Sequence, residues 1–362
     1  MKKILLIIGE ELRLKQNFLD YIFRHCKENS LEFDEIKFAN KNDKNLPIFL
    51  ENLTNKCEFL TIFASGESYA LTAKIIATIN NDLLELKCDT LGPSLAQKVE
   101  KNSFLTTIKN TQINLIKASP FENLGQILTP CEKNFQIYYI FDYDLNSIKR
   151  RIEPFLKTFD VSVNLSQFSK FLVALKVSEN AFGQIDDFLN CVKSEFKSVI
   201  DDENFIRFIA QKLIASGAKI TFAESCTAGL VAAKFGEISG VSEIFEGAVV
   251  TYSKNAKNAW LGVKNETLSK FGVYSNECVS EMLDGILKLS KADFAIAISG
   301  VAGPFDDGEI PAGTIFVGVG KKSGEKIIEK IHIAGDRNFV RDEAVLTAFS
   351  LLLRLESKLF FN

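Results

Sequence analysis

The side chains best suited to chemistry lie between Phe222 and Lys257, where small and nucleophilic residues surround a predicted strand-to-helix turn. This stretch holds seven residues of interest, namely Ser225, Cys226, Thr227, Gly229, Ser242, Tyr252 and Lys257. The whole chain has two histidines, His25 and His332. A hydrolase built here must therefore activate its nucleophile without a His-centred triad or a His-rich metal site. Serine, tyrosine and lysine are the groups that the segment offers instead.

Residues 224–229 follow a predicted strand and begin a predicted helix. Backbone N–H groups at such a helix start favour an anion, either a phosphate or a developing oxyanion. The alternative is an ordinary helix cap by Ser225 or Thr227. Cys226 is a rival nucleophile with stronger intrinsic reactivity, and its alternative role is that of a small buried hydrophobic residue.

Tyr252 and Lys257 lie five positions apart across a second strand-to-helix change, so both side chains could point into one cleft. A lysine ammonium beside a phenol lowers the pKa of the phenol and makes it a usable base. The alternative is an exposed lysine and a half-buried tyrosine. Ser242 lies at another turn, where it is either a second candidate nucleophile or merely a cap.

Gly300 and Gly303 follow a predicted strand, at the edge where open α/β sheets bind ligands. The alternative is a tight turn that needs glycine backbone angles. Arg337 begins the last predicted helix and could hold a phosphate. Its alternative is a surface arginine paired with Asp336 or Glu343.

The elements that must position these residues fall into three segments. Residues 1–134 alternate strand and helix patterns, which predicts an α/β domain with a parallel sheet. Residues 135–202 predict a small α+β domain, and residues 203–362 predict a three-layer α/β/α domain with its own activity. In the last segment the apolar pattern predicts strands at 219–223, 247–252, 294–299, 314–320 and 326–333, and helices at 205–215, 227–238, 276–289 and 339–358.

Composition sets the outer bounds. The 362 residues are 46% hydrophobic and carry a net charge of −3, which gives no general basic footprint for nucleic acid. The basic run Lys149–Arg151 is better explained as a solvated helix face. No apolar run approaches the roughly 20 residues of a membrane span. The N-terminal segment MKKILLIIGEEL predicts a buried first strand and not a signal peptide. The seven cysteines are scattered, at 26, 57, 88, 131, 191, 226 and 278, which predicts reduced thiols in a cytoplasmic protein.

Residues 204–360 closely resemble the C-terminal domain of the CinA family, the nicotinamide mononucleotide deamidases. The matching motifs are AESCTAG at 223–229, SGVSEIFEGAVVTYSKNAK at 239–257, SGVAGP at 299–304, PAGTIFVG at 311–318 and AGDRNFVRDEAV at 334–345. The resemblance implies hydrolysis of the substrate carboxamide to nicotinic acid mononucleotide and ammonia, without a metal or cofactor. It implies a catalytic set drawn from Ser225 or Ser242 with Tyr252 and Lys257. The implied substrate-binding residues are Cys226, Thr227, Gly229, Gly300, Gly303 and Arg337.

The rest of the chain resembles the family more loosely. Residues 1–134 are similar to its molybdopterin-binding-type domain, and residues 135–202 to its small KH-type domain. The glycine- and aspartate-rich GGLGPTxDD loop is missing, and residues 64–69 stand in its place, so we expect a catalytically degenerate N-terminal domain. The resemblance further implies a small-molecule nucleotide substrate, no membrane or nucleic-acid partner, and a homodimer. The alternative function is a non-catalytic nucleotide-binding or scaffold protein associated with competence or DNA damage.

Overall fold

The structure is a computed structural model that describes residues 2–29, 31–41, 43–120, 122–128, 135–179 and 183–361. The chain divides into two compact units, residues 1–133 and 134–362. The described helices and strands confirm a mixed α/β architecture with several sheets. Among the described residues, no helix combines the length and the apolarity needed to cross a bilayer. The six described cysteines are unpaired, and Cys131 lies outside the described residues.

The N-terminal unit is built on a six-stranded sheet with the order β2-β1-β3-β8-β7-β6. Its strands, with a separate β4–β5 hairpin, are β1 (Lys2–Ile8), β2 (Glu35–Ala39), β3 (Cys57–Ser65), β4 (Leu84–Lys87), β5 (Thr90–Pro93), β6 (Lys98–Glu100), β7 (Ser103–Ile108) and β8 (Thr111–Ala118). The first four strands of the order are parallel, as the alternating pattern predicts. The last two are antiparallel, so the sheet is mixed.

Two apolar cores cover the faces of this sheet. Alternate residues of β1 point into different cores: Ile4 and Leu6 enter one core, and Leu5 and Ile7 enter the other. The covering helices are α1 (Glu10–Leu14), α2 (Gln16–Glu28), α3 (Leu46–Thr54) and α4 (Gly66–Ile79). The first two helices are separate because Lys15, with φ −97° and ψ 80°, leaves the helical region.

The second unit begins with a four-stranded antiparallel sheet of the order β10-β11-β9-β12. Its elements are β9 (Phe135–Phe141), α5 (Leu145–Leu156), β10 (Val161–Ser169), β11 (Leu172–Glu179), α6 (Gln184–Glu195) and β12 (Val199–Ile200). One face packs against α5 and α6. Arg151, within the basic run of α5, pairs with Glu195 and lies over the ring of Phe196.

The other face of this small sheet shares a core with the rest of the unit. Phe141, Leu172 and Ile200 belong to the same apolar cluster as Ile209 and Phe349, which lie much further along the chain. The sequence divides this unit at residues 202 and 203. That division stays a prediction, and the shared core shows that the two parts bury apolar surface together.

The remaining residues form a five-stranded sheet of the order β14-β13-β15-β16-β17. Its elements are α7 (Phe205–Ser216), β13 (Ile220–Glu224), α8 (Leu230–Gly236), β14 (Phe245–Val250), α9 (Lys254–Leu261), α10 (Asn265–Lys270), α11 (Asn276–Ser290), β15 (Phe294–Val301), β16 (Thr314–Lys321), β17 (Lys326–His332), α12 (Arg337–Leu355) and α13 (Ser357–Phe361). The first three strands in the order are parallel and the last two antiparallel. Alternate residues of β15 enter two different cores, one with α12 and one with α11, which gives the predicted three layers.

Candidate active site

Six of the ten predicted site residues line a cleft of about 150 Å³ at one edge of the five-stranded sheet. Its lining residues are Ser225, Cys226, Tyr252, Tyr274, Gly300, Val301, Ala302, Gly303, Phe305, Asp307 and Arg337. Most of them follow β13 or β14, or end β15. Because these three strands are parallel, their carboxyl ends meet at one edge. This position agrees with the placement expected from the sequence.

Ser225 and Lys257 form the central contact of the cleft. Lys257 Nζ lies 2.8 Å from Ser225 Oγ and donates to the backbone oxygen of Thr251 at 2.6 Å. Ser253 caps α9 by accepting from the N–H of Ala256, which fixes the turn that carries the lysine inward. The Lys257 side chain is 1% exposed, and burial lowers its pKa because the ammonium loses its hydration.

This geometry gives Ser225 a direct basic partner. A lysine whose pKa is lowered reaches its neutral amine form more easily, and that amine can accept the serine proton. The sequence predicted that Lys257 would tune Tyr252. In the structure the hydrogen bonds of Lys257 go to Ser225 and Thr251 instead.

Cys226 is poorly suited to nucleophilic attack. Its side chain is 4% exposed, and burial raises the pKa of the thiol to about 12, although Lys257 and Arg337 act in the opposite direction. The thiolate is the reactive form of cysteine, and this environment disfavours it. Cys226 lines the cleft as a protonated, apolar-like group.

Glu224 has a structural role that the sequence reading missed. Its fully buried carboxylate accepts the N–H groups of Gly229, Val231 and Ala232 at 2.9–3.1 Å. These three donors therefore hold the carboxylate of Glu224 and not the phosphate or oxyanion expected at this helix start. The sequence feature that could have revealed this role is an acidic residue at the end of a mostly apolar strand.

The turn between Ser225 and α8 depends on left-handed backbone angles. Ala228 has φ 50° and Gly229 has φ 91°, so the helix predicted from residue 227 begins at Leu230. Thr227 is fully buried, and its backbone oxygen accepts from Arg341. Thr227 and Gly229 therefore shape the turn and do not line the cleft, contrary to their predicted roles in substrate binding.

Arg337 and Tyr252 form the outer wall of the cleft. Arg337 donates to the backbone oxygen of Gly303 at 2.5 Å and to the hydroxyl of Tyr252 at 2.9 Å. Asp336 caps α12 and so sets Arg337 in its first turn. Gly300 is required by close approach, because an added Cβ would lie 2.5 Å from the backbone oxygen of Thr314.

Ser242 lies away from this cleft. It is exposed in a short 3-10 turn, Val241–Glu243, that precedes β14. The cleft lies beyond the other end of this six-residue strand, a separation of roughly 20 Å at about 3.3 Å per residue. The structure therefore brings Ser225 and not Ser242 to Lys257.

Tyr274 and Asp307 also line the cleft, and the sequence reading did not select them. The Tyr274 hydroxyl donates to Asp307 Oδ2 at 2.7 Å. Burial and the neighbouring Asp307 raise the pKa of Tyr274. The acidic pair directly after the SGVAGP motif was the signal that could have identified Asp307.

A family model matches the part of the chain that holds this cleft. The family described as the CinA C-terminal domain matches residues 202–355. A CinA-like protein of Thermosipho melanesiensis is 36% identical over 179 residues, which are 48% of this chain and 44% of that relative. The Escherichia coli protein named nicotinamide-nucleotide amidohydrolase PncC is 45% identical over 145 residues, which are 40% of this chain and 86% of that relative.

A solved structure also aligns with the chain. It is the competence damage-inducible protein A (ComA) of Klebsiella pneumoniae, which is 38% identical, covers 41% of this chain and 92% of its own, and has a TM-score of 0.40. The chain spans less than half the length of the Thermosipho relative that it matches.

Proposed function

The chain belongs to the CinA family, and on that premise we propose that it hydrolyses nicotinamide mononucleotide to nicotinic acid mononucleotide and ammonia. The observation that carries the proposal is the 2.8 Å contact between Ser225 Oγ and the buried Nζ of Lys257. The contact lies in a cleft at the carboxyl ends of parallel strands. The E. coli relative named as an amidohydrolase of this nucleotide supports the choice of substrate.

In the proposed reaction, neutral Lys257 takes the proton of the Ser225 hydroxyl as Oγ attacks the carboxamide carbon. The tetrahedral intermediate collapses when the C–N bond breaks, and the protonated lysine returns its proton to the leaving nitrogen, which departs as ammonia. Water then attacks the acyl-enzyme with the same base, releases the nicotinate carboxyl group and restores Ser225. The sum is one amide and one water converted to one acid and ammonia.

The oxyanion of this intermediate needs hydrogen-bond donors near Ser225. On β15, Ile298 O accepts the N–H of Ser225, and Val301 O accepts the N–H of Gly313. The backbone N–H and C=O groups of the even-numbered residues of this strand therefore point towards β13, and those of the odd-numbered residues point towards β16. Strand β13 ends just before Ser225, and the chain then turns away from β15. The N–H of Gly300 points towards the space left there, which makes it our proposed oxyanion donor.

Arg337 is the proposed phosphate-binding residue of the mononucleotide. Its guanidinium stands at the outer wall of the cleft, where its two described hydrogen bonds go to uncharged oxygens. A planar guanidinium binds phosphate well because it presents several donors in a fixed geometry. Tyr252 contacts Arg337 and is 57% exposed, so its proposed role is to position the arginine.

The decisive experiment compares two serines. Ammonia and nicotinic acid mononucleotide are measured after the purified protein is incubated with nicotinamide mononucleotide. Ser225→Ala should lose activity by a factor of at least about 10³, since no acyl-enzyme can form. Ser242→Ala is the matched control and should keep the parent rate, because that hydroxyl is exposed at the other edge of the sheet.

Two outcomes would contradict the proposal. Loss of activity in Ser242→Ala with retention in Ser225→Ala would reverse the assignment of the nucleophile. If the unsubstituted protein binds the nucleotide and releases no ammonia, the non-catalytic nucleotide-binding function replaces the enzyme.

A further inference from the structure

Two charged side chains in the cleft have no partner of opposite charge among the residues that the structure describes. Arg337 donates to Gly303 O and the Tyr252 hydroxyl, and Asp307 accepts from the Tyr274 hydroxyl. Within the described ranges, no basic side chain forms an ion pair with Asp307 and no acidic side chain forms one with Arg337. The two therefore line one cleft without neutralising each other.

Some arginines elsewhere in the same unit form ion pairs, whereas Arg341, like Arg337, donates to uncharged oxygens. Arg207 pairs with Asp202 at 2.6 Å, and Arg354 pairs with Asp142 at 2.8 Å. Arg337 is partly buried and Asp307 is exposed, so both charges are accessible to a ligand that enters the cleft. One unpaired cation and one unpaired anion in a single cleft are complementary to a ligand that carries both charges.

The backbone holds Asp307 in a defined position. Its N–H donates to Ile310 O at 3.0 Å, and its own backbone oxygen accepts from Ile310 N–H at 3.1 Å. Asp306 steadies the same loop by accepting the N–H of Ala312 at 2.7 Å. With Oδ2 bound to Tyr274, the Oδ1 atom of Asp307 has no donor among the described residues. The carboxylate is therefore positioned before any ligand arrives.

Aromatic side chains line the same cleft as this carboxylate. Tyr274 contacts it directly, and Phe305, which lines the same cleft, is 83% exposed. Aromatic faces attract flat cationic rings through their quadrupoles. A carboxylate beside such faces favours a planar cation over a compact ammonium, because the ring can be stacked and neutralised in one place.

Resting on the proposed function, we infer that Asp307 is the counter-ion of the positively charged pyridinium ring of the substrate. The cleft then selects N1-substituted, cationic nicotinamides over neutral ones of the same shape. Arg337 binds the phosphate and Asp307 the ring, so the two unpaired charges match the two charges of a pyridinium mononucleotide. Asp307 is a specificity-determining residue, distinct from the Ser225 and Lys257 that carry out the bond changes.

The test measures binding in a Ser225→Ala background, where the ligand stays intact. The probes are nicotinamide mononucleotide and its 1,4-dihydro form, which keeps the ribose phosphate and carboxamide but has a neutral ring. Asp307→Asn should weaken binding of the cationic probe by roughly tenfold, because a partly screened charge pair is lost. It should leave the dissociation constant of the neutral probe within about twofold, since the asparagine oxygen still accepts from Tyr274.

Two further variants separate charge from structure. Asp306→Asn is the matched control: it removes a neighbouring charge that lies outside the cleft lining, and both dissociation constants should stay at the parent value. Tyr274→Phe removes the hydroxyl bound to Asp307 and keeps the charge, so the preference for the cationic probe should persist. Thermal unfolding of each variant confirms that it is folded.

The outcomes distinguish this inference from the proposed function. If the parent protein hydrolyses the mononucleotide but Asp307→Asn weakens both probes equally, or neither, the inference is overturned and the enzyme assignment stands. If the parent neither binds nor hydrolyses the mononucleotide, the proposed function fails and the inference fails with it.

Discussion

The carboxyl ends of the parallel strands carry polar side chains in both units, and the two units pair them differently. In the N-terminal unit, Ser65 caps α4, and its hydroxyl bonds to the hydroxyl of Ser68 at 2.9 Å. Glu67, at the same helix start, pairs with Lys41. Lys117, at the end of β8, pairs with Glu122. The polar groups at this edge therefore satisfy one another.

At the corresponding edge of the C-terminal unit, pairing is incomplete. Lys257 is buried against uncharged partners, and the buried hydroxyls of Thr227 and Thr251 have no partner among the described residues. Folding disfavours such groups, and they recur at functional sites. Incomplete pairing therefore distinguishes the candidate site from the N-terminal unit, and cavity size does not. Cavities of about 620 and 510 Å³ lie in the N-terminal unit, and ion-paired residues help to line both.

The strongest test of this contrast is Lys257→Met, which fills the same volume without a basic group. We expect the rate of ammonia release to fall by about 10²–10⁴, the usual effect of losing a general base. The matched control is Lys254→Met, which changes an exposed lysine of the same helix α9 and should leave the rate unchanged. The measurement is steady-state ammonia release at saturating nucleotide.

Tyr252→Phe, measured in the same assay, separates the two candidate bases. If Lys257 is the base, losing a hydroxyl that only positions Arg337 should cost less than about tenfold, a loss far below that of a general base. If Tyr252→Phe loses nearly all ammonia release and Lys257→Met keeps a near-normal rate, the tyrosine is the base and the lysine is not.

The next largest effect is expected when the second unit is cut. The sequence predicts that a fragment starting at Asp201 folds alone and is active, and the structure shows the surface that this cut would expose. Phe205 and Ile209 of α7 share a core with Phe141 and Leu172, which the fragment lacks. We expect its melting temperature to lie roughly 10 °C or more below that of residues 134–362, because several kcal/mol of burial are lost. Equal melting temperatures in calorimetry would mean that the shared core adds nothing to stability.

A smaller effect concerns the pH dependence of stability. Burial lowers the pKa of Lys257 below its ordinary value of 10.5, so between these two pKa values the unfolded chain binds the extra proton. Stability of the parent protein therefore rises with pH across that window, and below it the cost of the buried ammonium is present in full. Lys257→Met lacks this cost, so its melting temperature relative to the parent should decrease from pH 7 to pH 10. A constant difference in differential scanning fluorimetry would show that burial leaves this amine unperturbed.

The smallest expected effect is in the N-terminal unit. Among the described residues, no group of three or more His, Cys, Asp or Glu side chains is placed to hold a metal ion. We expect no release of AMP from ADP-ribose with Mg²⁺, Mn²⁺ or Co²⁺, because that chemistry needs carboxylates on a divalent ion. Metal-dependent release that disappears in a Glu67→Gln variant would remove the contrast between the two units.

Sequence patterns predict the strands of residues 203–362 to within about two residues, because the central strands β13, β15 and β16 are short apolar runs buried on both faces. They also single out Ser225, Lys257 and Arg337, which lie next to strand ends. They do not predict β4 to β7 of the N-terminal unit. They fail at Ala228, since a left-handed angle at alanine has no sequence signature and delays the start of α8. The sequence overlooks Glu224 and does not choose between Ser225 and Ser242 for another reason. A local pattern does not show which distant N–H groups, or which end of the strands, a side chain will meet.

Helix α12 also connects the cleft with the small antiparallel sheet. Its 19 residues make a rod of about 28 Å, at 1.5 Å per residue. Arg337 stands at one end in the cleft, and near the other end Arg354 is bonded to Asp142, just beyond β9. A rod held at its far end converts a small tilt there into a displacement at its tip. The contact between Arg354 and Asp142 ties the far end of α12 to the small antiparallel sheet. Exchanging that sheet between homologues would therefore change a contact of the helix that carries Arg337 without altering any residue of the cleft.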